Sequence, residues 1–373
     1  VFKVHQGTVK RDSQLFVGDA RKPFKVSQLY LVRGKEHIPI DACGPGEIGA
    51  IAKIDEIVFD SVLHDSHDED HIHIAPLEFP APIYGIAIEA GKRGDEQRMW
   101  EILQKLSAED PCLVVDRVSI TNETVLRGLG ELQIRCLLER IAVQYKLDVK
   151  THPPRIAYRE TITSSADGHH RHKKQTGGAG QFGEVYLRIE PLPRGSGFQF
   201  VDQVKGGSIP GQYIPAVEKG ILQVIEHGAI AGYPLQDVKV VVYDGKSHPV
   251  DSKEVAFVAA GRKAFLDAIG KARPIVLEPI VNIHINVPEQ NIGDITGDLS
   301  SKRGQVSGTQ TAGAGLISIE GQVPLSELNG YQSRLKSITG GEGSYSMELS
   351  HYEAVPSPVQ QQLVSQHRVH VEE

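Results

Sequence analysis

The chain has 373 residues, which exceeds one ordinary domain and predicts two to four. With 40% apolar and 23% charged residues it reads as a soluble globular protein, without the run of about 18 apolar residues that a membrane span needs and without a signal peptide. A net charge of −7 excludes indiscriminate nucleic-acid binding but permits local basic patches.

Val1 falls in what reads as mid-strand sequence, which predicts a piece of a longer protein. Cys43, Cys112 and Cys136 form an odd, scattered set without a CxxC spacing, expected as reduced and mostly buried thiols of a cytoplasmic protein.

Residues 1–75 alternate short β-like runs (15–17, 25–32, 48–54) with Gly and charged turns, the pattern of part of a β-barrel. Residues 63–73, rich in His and Asp, read as a connector or barrel-closing loop. Their spacing fits no zinc pattern and lacks the glycine pivot of an EF-hand.

From 76 to 153 the pattern is strand, helix, strand, strand, helix, strand. A helix over 95–107 places Met99, Ile102, Leu103 and Leu106 on one face, and a helix over 131–145 does the same with Ile134, Leu137, Leu138, Ile141 and Tyr145. With strands at 84–89, 112–120, 124–129 and 147–151, this predicts a ferredoxin-like βαββαβ sandwich.

Residues 154–274 carry strands near 156–161, 184–191, 198–204 and 238–243, and helices near 213–227 and 252–272. Asp251 and Glu254 are spaced as a capping box. Two loops stand out here. The first, residues 168–183, joins a His- and Lys-rich run to a glycine-rich stretch ending in Gln181-Phe182. Glycines let a backbone approach another closely, Arg171, Lys173 and Lys174 attract phosphate, and Gln181 can position a base or sugar. The same spacing also fits a hairpin turn with a solvated basic flank. The second loop is Asp244-Gly-Lys-Ser-His-Pro-Val-Asp-Ser252.

Residues 275–355 repeat the βαββαβ rhythm, with strands at 279–287, 305–310, 316–323 and 344–352 and helices at 289–303 and 326–338. A tail, 356–373, includes a short helix over 359–366.

The segment Lys174-Gln-Thr-Gly-Gly-Ala-Gly-Gln-Phe-Gly-Glu-Val185 resembles a tip loop of domain IV of bacterial elongation factor G, the GTPase that drives ribosomal translocation. So, in the family's order, do Gly128-Leu-Gly-Glu-Leu132, Pro154-Arg-Ile-Ala-Tyr-Arg-Glu-Thr161, Ile209-Pro-Gly-Gln-Tyr-Ile-Pro-Ala-Val217, Gly293-Asp-Ile-Thr-Gly-Asp-Leu299, Val323-Pro-Leu-Ser-Glu327 and Ser350-His-Tyr-Glu353. The resemblance covers nearly the whole chain. It implies an α+β multi-domain protein: the end of a domain II barrel, ferredoxin-like domains III and V, and a domain IV like the second domain of ribosomal protein S5.

The resemblance further implies that domain IV enters the ribosomal A site. The tip loops would carry Gly177, Gly178, Gly180, Gln181, Phe182, Lys246 and His248, with Arg171, Lys173 and Lys174 as flanking cations. Lys302 and Arg303 would face ribosomal RNA. Partners would be the ribosome and the tRNA–mRNA module, for a cytoplasmic monomer. No catalytic residue or metal ligand is expected in the chain. It holds no Gly-x-x-x-x-Gly-Lys-Ser/Thr string, so GTP and magnesium would belong to a domain outside it. Two departures stand out: Gln133 replaces a usual histidine, and Pro249 replaces the aspartate usual beside His248. Separately, the His169–Lys174 run and the stretches 300–303 and 308–317 lean toward the elongation factor G-like paralogues and leave open a protein that binds the ribosome without translocating.

Overall fold

The computed structural model describes residues 1–75, 77, 79–118, 121–174, 180–313 and 315–372, the side chains of 368–372 excepted. It is an α+β chain whose contacts form two units, residues 1–117 with 124–152, and residues 118–123 with 153–373.

The first unit opens with nine short strands: β1 (Phe2–Lys3), β2 (Val9–Lys10), β3 (Gln14–Val17), β4 (Phe24–Lys25), β5 (Leu29–Arg33), β6 (Glu36–Pro39), β7 (Ala42–Cys43), β8 (Ile48–Ile51) and β9 (Leu63–His64). They pair as β1-β8-β5-β6, β2-β7 and β4-β3-β9 around Val4, Leu15, Val26, Leu29 and Cys43. The strand expected over 25–32 is broken. Val26 turns inward, donating its N–H to Ser13 O and accepting from Asp12 N–H, and only from Leu29 does the chain pair again.

The His/Asp run begins as a closing strand, since β9 pairs with β3 through Phe16↔His64 and Val17↔Leu63. His64 is buried, its ring nitrogens 2.8 Å from Ser66 O and 2.7 Å from Gly18 O. His67 packs on the Phe16 ring at 4.2 Å. These imidazoles are spent on holding the strand end. Among the described residues no group of His, Cys, Asp or Glu is arranged to hold a metal.

Then come β10 (Tyr84–Ala90), α1 (Glu96–Glu109), β11 (Val114–Val118), β12 (Glu123–Gly128), α2 (Glu131–Tyr145) and β13 (Val149–His152). Their order, β11-β12-β10-β13, is that of the ferredoxin-like sandwich. Met99, Ile102, Leu103 and Leu106 of α1 meet Ile134 and Ile141 of α2 over Ile88 and Leu126. Gln133 is part of this frame, accepting from Leu129 N–H at 2.6 Å and donating to Asp110 at 2.7 Å. Cys43 and Cys112 are buried, whereas Cys136 on α2 is exposed, against the expectation of mostly buried thiols only in that one case.

The second unit contains β14 (Arg159–Ile162), β15 (Ala166–Lys174), β16 (Gln181–Pro191), β17 (Phe198–Asp202), α3 (Ile214–His227), β18 (Val238–Lys246) and α4 (Glu254–Lys271). The sheet order is β15-β16-β18-β17. The pair β17–β18 is parallel and therefore needs a crossover, which contains α3. Both helices cover one face of the sheet, packing Val217, Ile221, Phe257 and Phe265 on Val185, Leu187, Val240 and Val242. Close helix contact depends on glycine: a Cβ on Gly220 would run into Val258 O. The capping box is not formed. Lys253 is the N-cap of α4, and it makes no side-chain cap bond.

The strand expected at 156–161 is β14, but its partner is β19 (Pro274–Pro288), antiparallel. It thus lies in the next sheet, which continues with α5 (Ile292–Ser301), β20 (Gln305–Gly313), β21 (Leu316–Pro324), α6 (Tyr331–Ile338) and β22 (Ser344–Ala354). β19 lies between β21 and β22, and β20 pairs outside β21, the ferredoxin-like order again. The helix expected over 326–338 is a 3-10 turn followed by α6, interrupted at Gly330, which has φ of 69°.

Glu160 of β14 is fully buried and accepts from four backbone N–H groups, those of Ala229, Ile230, Ala231 and Tyr233, at 2.7–3.1 Å. A last helix, α7 (Ser357–Glu372), is longer than the expected 359–366. It places Val359, Leu363 and Val364 against Ala231, Val276, Tyr158 and Tyr233.

Candidate nucleic-acid interface

The His- and Lys-rich run is a strand, β15, and not a loop flank. It pairs with β16 through nine residue pairs, from Ala166↔Ile189 to Lys174↔Gln181. Successive side chains of a strand point to opposite faces. Gly168, His170 and His172 face α4, and a Cβ on Gly168 would strike Ala264 O. His169, Arg171 and Lys173 face outward and are exposed. The alternation is hard to see in the sequence because glycine and histidine, not Val or Ile, occupy the inward positions.

On the outward face, His169 Nε2 lies 2.8 Å from Glu184 Oε1, and its ring stacks on Tyr186 at 4.1 Å. Arg171 lies over Phe182 at 5.2 Å. The Glu184 side chain is only 6% exposed. Burial opposes its ionisation, but hydrogen bonds from His169 and Tyr186 and the nearby charge of Lys246 outweigh burial, so its carboxyl stays below the ordinary value. This buried carboxylate was not singled out in the sequence. A lone acidic residue between apolar strand positions is its only mark there.

At the far end of the hairpin, the two expected tip loops are tied together. Phe182 N–H donates to Asp251 O at 2.9 Å. Ser252 Oγ donates to Phe182 O at 3.1 Å and accepts from His248 N–H at 2.8 Å. Tyr213 Oη donates to Ser252 O at 2.9 Å. Gly180 passes so near that a Cβ there would sit 2.7 Å from the Asp251 carboxylate, which would have to move aside. Gly177 and Gly178 lie outside the described residues.

Gln181 is the first residue of β16 and is half-buried, 3.3 Å from His172 Nε2 through its amide oxygen. Lys246 ends β18, exposed, in register with Glu184. His248 Nδ1 lies 3.3 Å from the N–H of Val250 and 3.1 Å from that of Asp251. Asp251 Oδ2 also lies 3.4 Å from Nδ1, and the ring is half-exposed. Beside it Pro249 and Val250 are exposed.

Lys302 and Arg303 lie elsewhere, at the end of α5. Arg303 has φ of 59°, and the N–H of Gly304 donates to Leu299 O at 2.8 Å, closing a Schellman cap. The Arg303 guanidinium grips the buried Glu278 with both Nη atoms, at 2.5 and 2.9 Å, and Glu327 through Nε at 2.9 Å. The hydrogen bonds it donates to Glu278 and Glu327, against the penalty from burial, push its pKa above the ordinary arginine value. The structure thus gives Arg303 two internal carboxylate partners, and only Lys302 of this pair is without an ion pair among the described residues.

Family models match along the chain: elongation factor G domain 2 over residues 1–61, domain III over 79–153, domain IV over 154–273 and the elongation factor G C-terminus over 275–363. The chain belongs to the elongation factor G family. A curated relative, an elongation factor G-like protein of Thermotoga maritima, is 39% identical over 349 residues, covering 94% of this chain and 51% of the relative. A solved structure from Thermus thermophilus superposes with a TM-score of 0.80 at 34% identity, covering 97% of this chain and 54% of that one. The chain therefore spans about half the length of these relatives. Within the elongation factor G match, both tied loops and the β15–β16 hairpin fall in the domain IV segment.

Proposed function

We propose that the chain is the part of a ribosome-binding translational factor that engages the tRNA–mRNA module, with the joined loops around Gln181 and His248 entering the A site. The carrying observation is the junction of Phe182 with Asp251 and Ser252, which holds both loops as one tip. Arg171, Lys173, Lys174 and Lys246 supply phosphate contacts near it. On this reading GTP and magnesium belong to a domain outside the chain. The residues present do not fit a nucleoside triphosphate, since no phosphate-cradling string is among them. The chain acts as a monomer in the cytoplasm, by shape and local charge, with no catalytic residue of its own.

The test is co-sedimentation with ribosomes at low and moderate salt, with and without intact elongation factor G. Competed, salt-sensitive binding is the expected result. Binding that the competitor leaves unchanged refutes the reading. In the full-length protein, Gln181→Ala and His248→Ala are expected to slow translocation.

A second reading rests on Pro249 beside His248 and on the His169–Lys174 run. The full-length protein would then bind the ribosome without translocating, in recycling, stress or protection. A single-round translocation assay separates the two.

A further inference from the structure

The outward face of β15, β16 and β18 carries a feature that runs from the tip residues Phe182 and Lys246 along the sheet. Three planar side chains lie in tiers on aromatic rings: His169 on Tyr186, with 19° between planes, Arg171 over Phe182, and Arg188 over Tyr243 at 5.8 Å. His169, Arg171 and Arg188 are all exposed. Lys173 and Lys246, both exposed, flank the tiers.

The acidic groups of this face are largely engaged. Glu184 holds His169, Asp167 holds Arg188 at 3.1 Å, Asp244 accepts from Gly245 N–H, and Glu190 pairs with Lys239 at 3.2 Å. No helix lies among these residues, because α3 and α4 cover the opposite face.

We infer that this sheet face binds an unpaired RNA strand, its bases stacking on His169, Arg171 and Arg188 and its phosphates meeting Lys173 and Lys246. Bases stack on guanidinium and aromatic planes without regard to sequence. Outward strand positions repeat at about 6.7 Å, so the tiers offer successive platforms to an extended strand. Neighbouring rings hold the planar groups before binding, which lowers the ordering cost. An acidic polypeptide would be drawn by the same charge but would gain nothing from the planes. The inference rests on the reading of the chain as an RNA-engaging factor and shares Arg171, Lys173 and Lys246 with it, adding His169 and Arg188 as platforms.

The experiment is fluorescence anisotropy of the full 373-residue chain with labelled octauridylate, a single-stranded RNA, and with an RNA duplex of equal length. Single strands are expected to bind more tightly. Arg171→Ala and Arg188→Ala should each weaken binding roughly tenfold. Arg171→Lys should weaken it nearly as much while keeping the salt slope, because it keeps the charge and loses the plane. Lys173→Ala should lower that slope by about one. Lys219→Ala, on α3 across the sheet, should change binding less than twofold. Thermal melting confirms that each variant is folded, and Arg171→Lys gives the answer should an alanine variant unfold.

No binding of octauridylate, or variants equal to the parent, overturns the inference. Equal binding of duplex with Arg171→Lys unaffected reduces the face to charge alone and overturns the stacking. Displacement by polyglutamate as readily as by RNA assigns the face to an acidic protein. Ribosome co-sedimentation is scored separately. Face variants that sediment normally but have lost octauridylate leave both readings standing, and loss of sedimentation with octauridylate binding intact sinks only the ribosomal one.

Discussion

Two side chains show how much a single residue carries here. Glu184 is held ionised inside the hairpin by His169 and Tyr186. Its folded pKa lies below the ordinary 4.5, so it contributes stability above pH 4.5 that is lost as pH falls through the folded value. Glu184→Gln is expected to melt below the parent at pH 7, with the gap closing under pH 4.5. A gap that stays constant with pH would show that the carboxylate charge is not what stabilises. His248 organises its own loop, since Nδ1 faces two N–H groups. His248→Ala should therefore cost about 1 kcal/mol, more than a free loop side chain. His248→Asn, whose side-chain oxygen can accept the same bonds, should recover most of the melting temperature. If the tip reading is right, the asparagine variant still translocates slowly.

Elements depend on buried polar ties that periodicity does not reveal. The end of α5 is one. Arg303 occupies a left-handed position that glycine would take without strain, yet its guanidinium answers a Glu278 side chain only 2% exposed. Arg303→Ala leaves that carboxylate uncompensated and should cost about 3–5 kcal/mol. Arg303→Gly relieves the backbone but not the charge, and should stay well below the parent in urea denaturation. A glycine variant as stable as the parent would place the whole role of Arg303 in the cap. Helices α1 and α2 are readable in the sequence because their apolar positions recur at helical spacing, and the structure buries Met99, Ile102, Leu103, Leu106, Ile134 and Ile141 and half-buries Leu137, Leu138 and Tyr145. β15 is not readable, because its inward residues are Gly168, His170 and His172, of which Gly168 fits against α4 by its lack of a side chain and none is an apolar strand former. Of the candidate site, the composition of both loops is visible in the sequence, but the bonds from Phe182 to Asp251 and Ser252 join residues about 70 apart. Local spacing contains no signal for them.

At the scale of the molecule, the end of the chain completes a core that begins elsewhere. Val359, Leu363 and Val364 of α7 cover Tyr158, Ala231, Tyr233 and Val276. Gln360 adds a bond from Val276 N–H at 3.2 Å and one to Pro274 O at 3.3 Å. Removing residues 357–373 should cost about 3 kcal/mol and lower the calorimetric transition of the second unit. An unchanged transition would mean that the helix only rests on the surface. The sequence by itself determined the α+β class, the two βαββαβ rhythms and the elongation factor G resemblance, because hydrophobic period and ordered motifs are local properties. Tertiary structure alone decided that β14 belongs to the sheet of β19, that Glu160 ties the 229–233 backbone, that Arg303 faces carboxylates and that Phe182 is bonded to Asp251 and Ser252. Each of these rests on a hydrogen bond or ion pair between residues distant in the chain. Such pairing depends on which groups folding buries together, and a residue's sequence neighbours do not specify it.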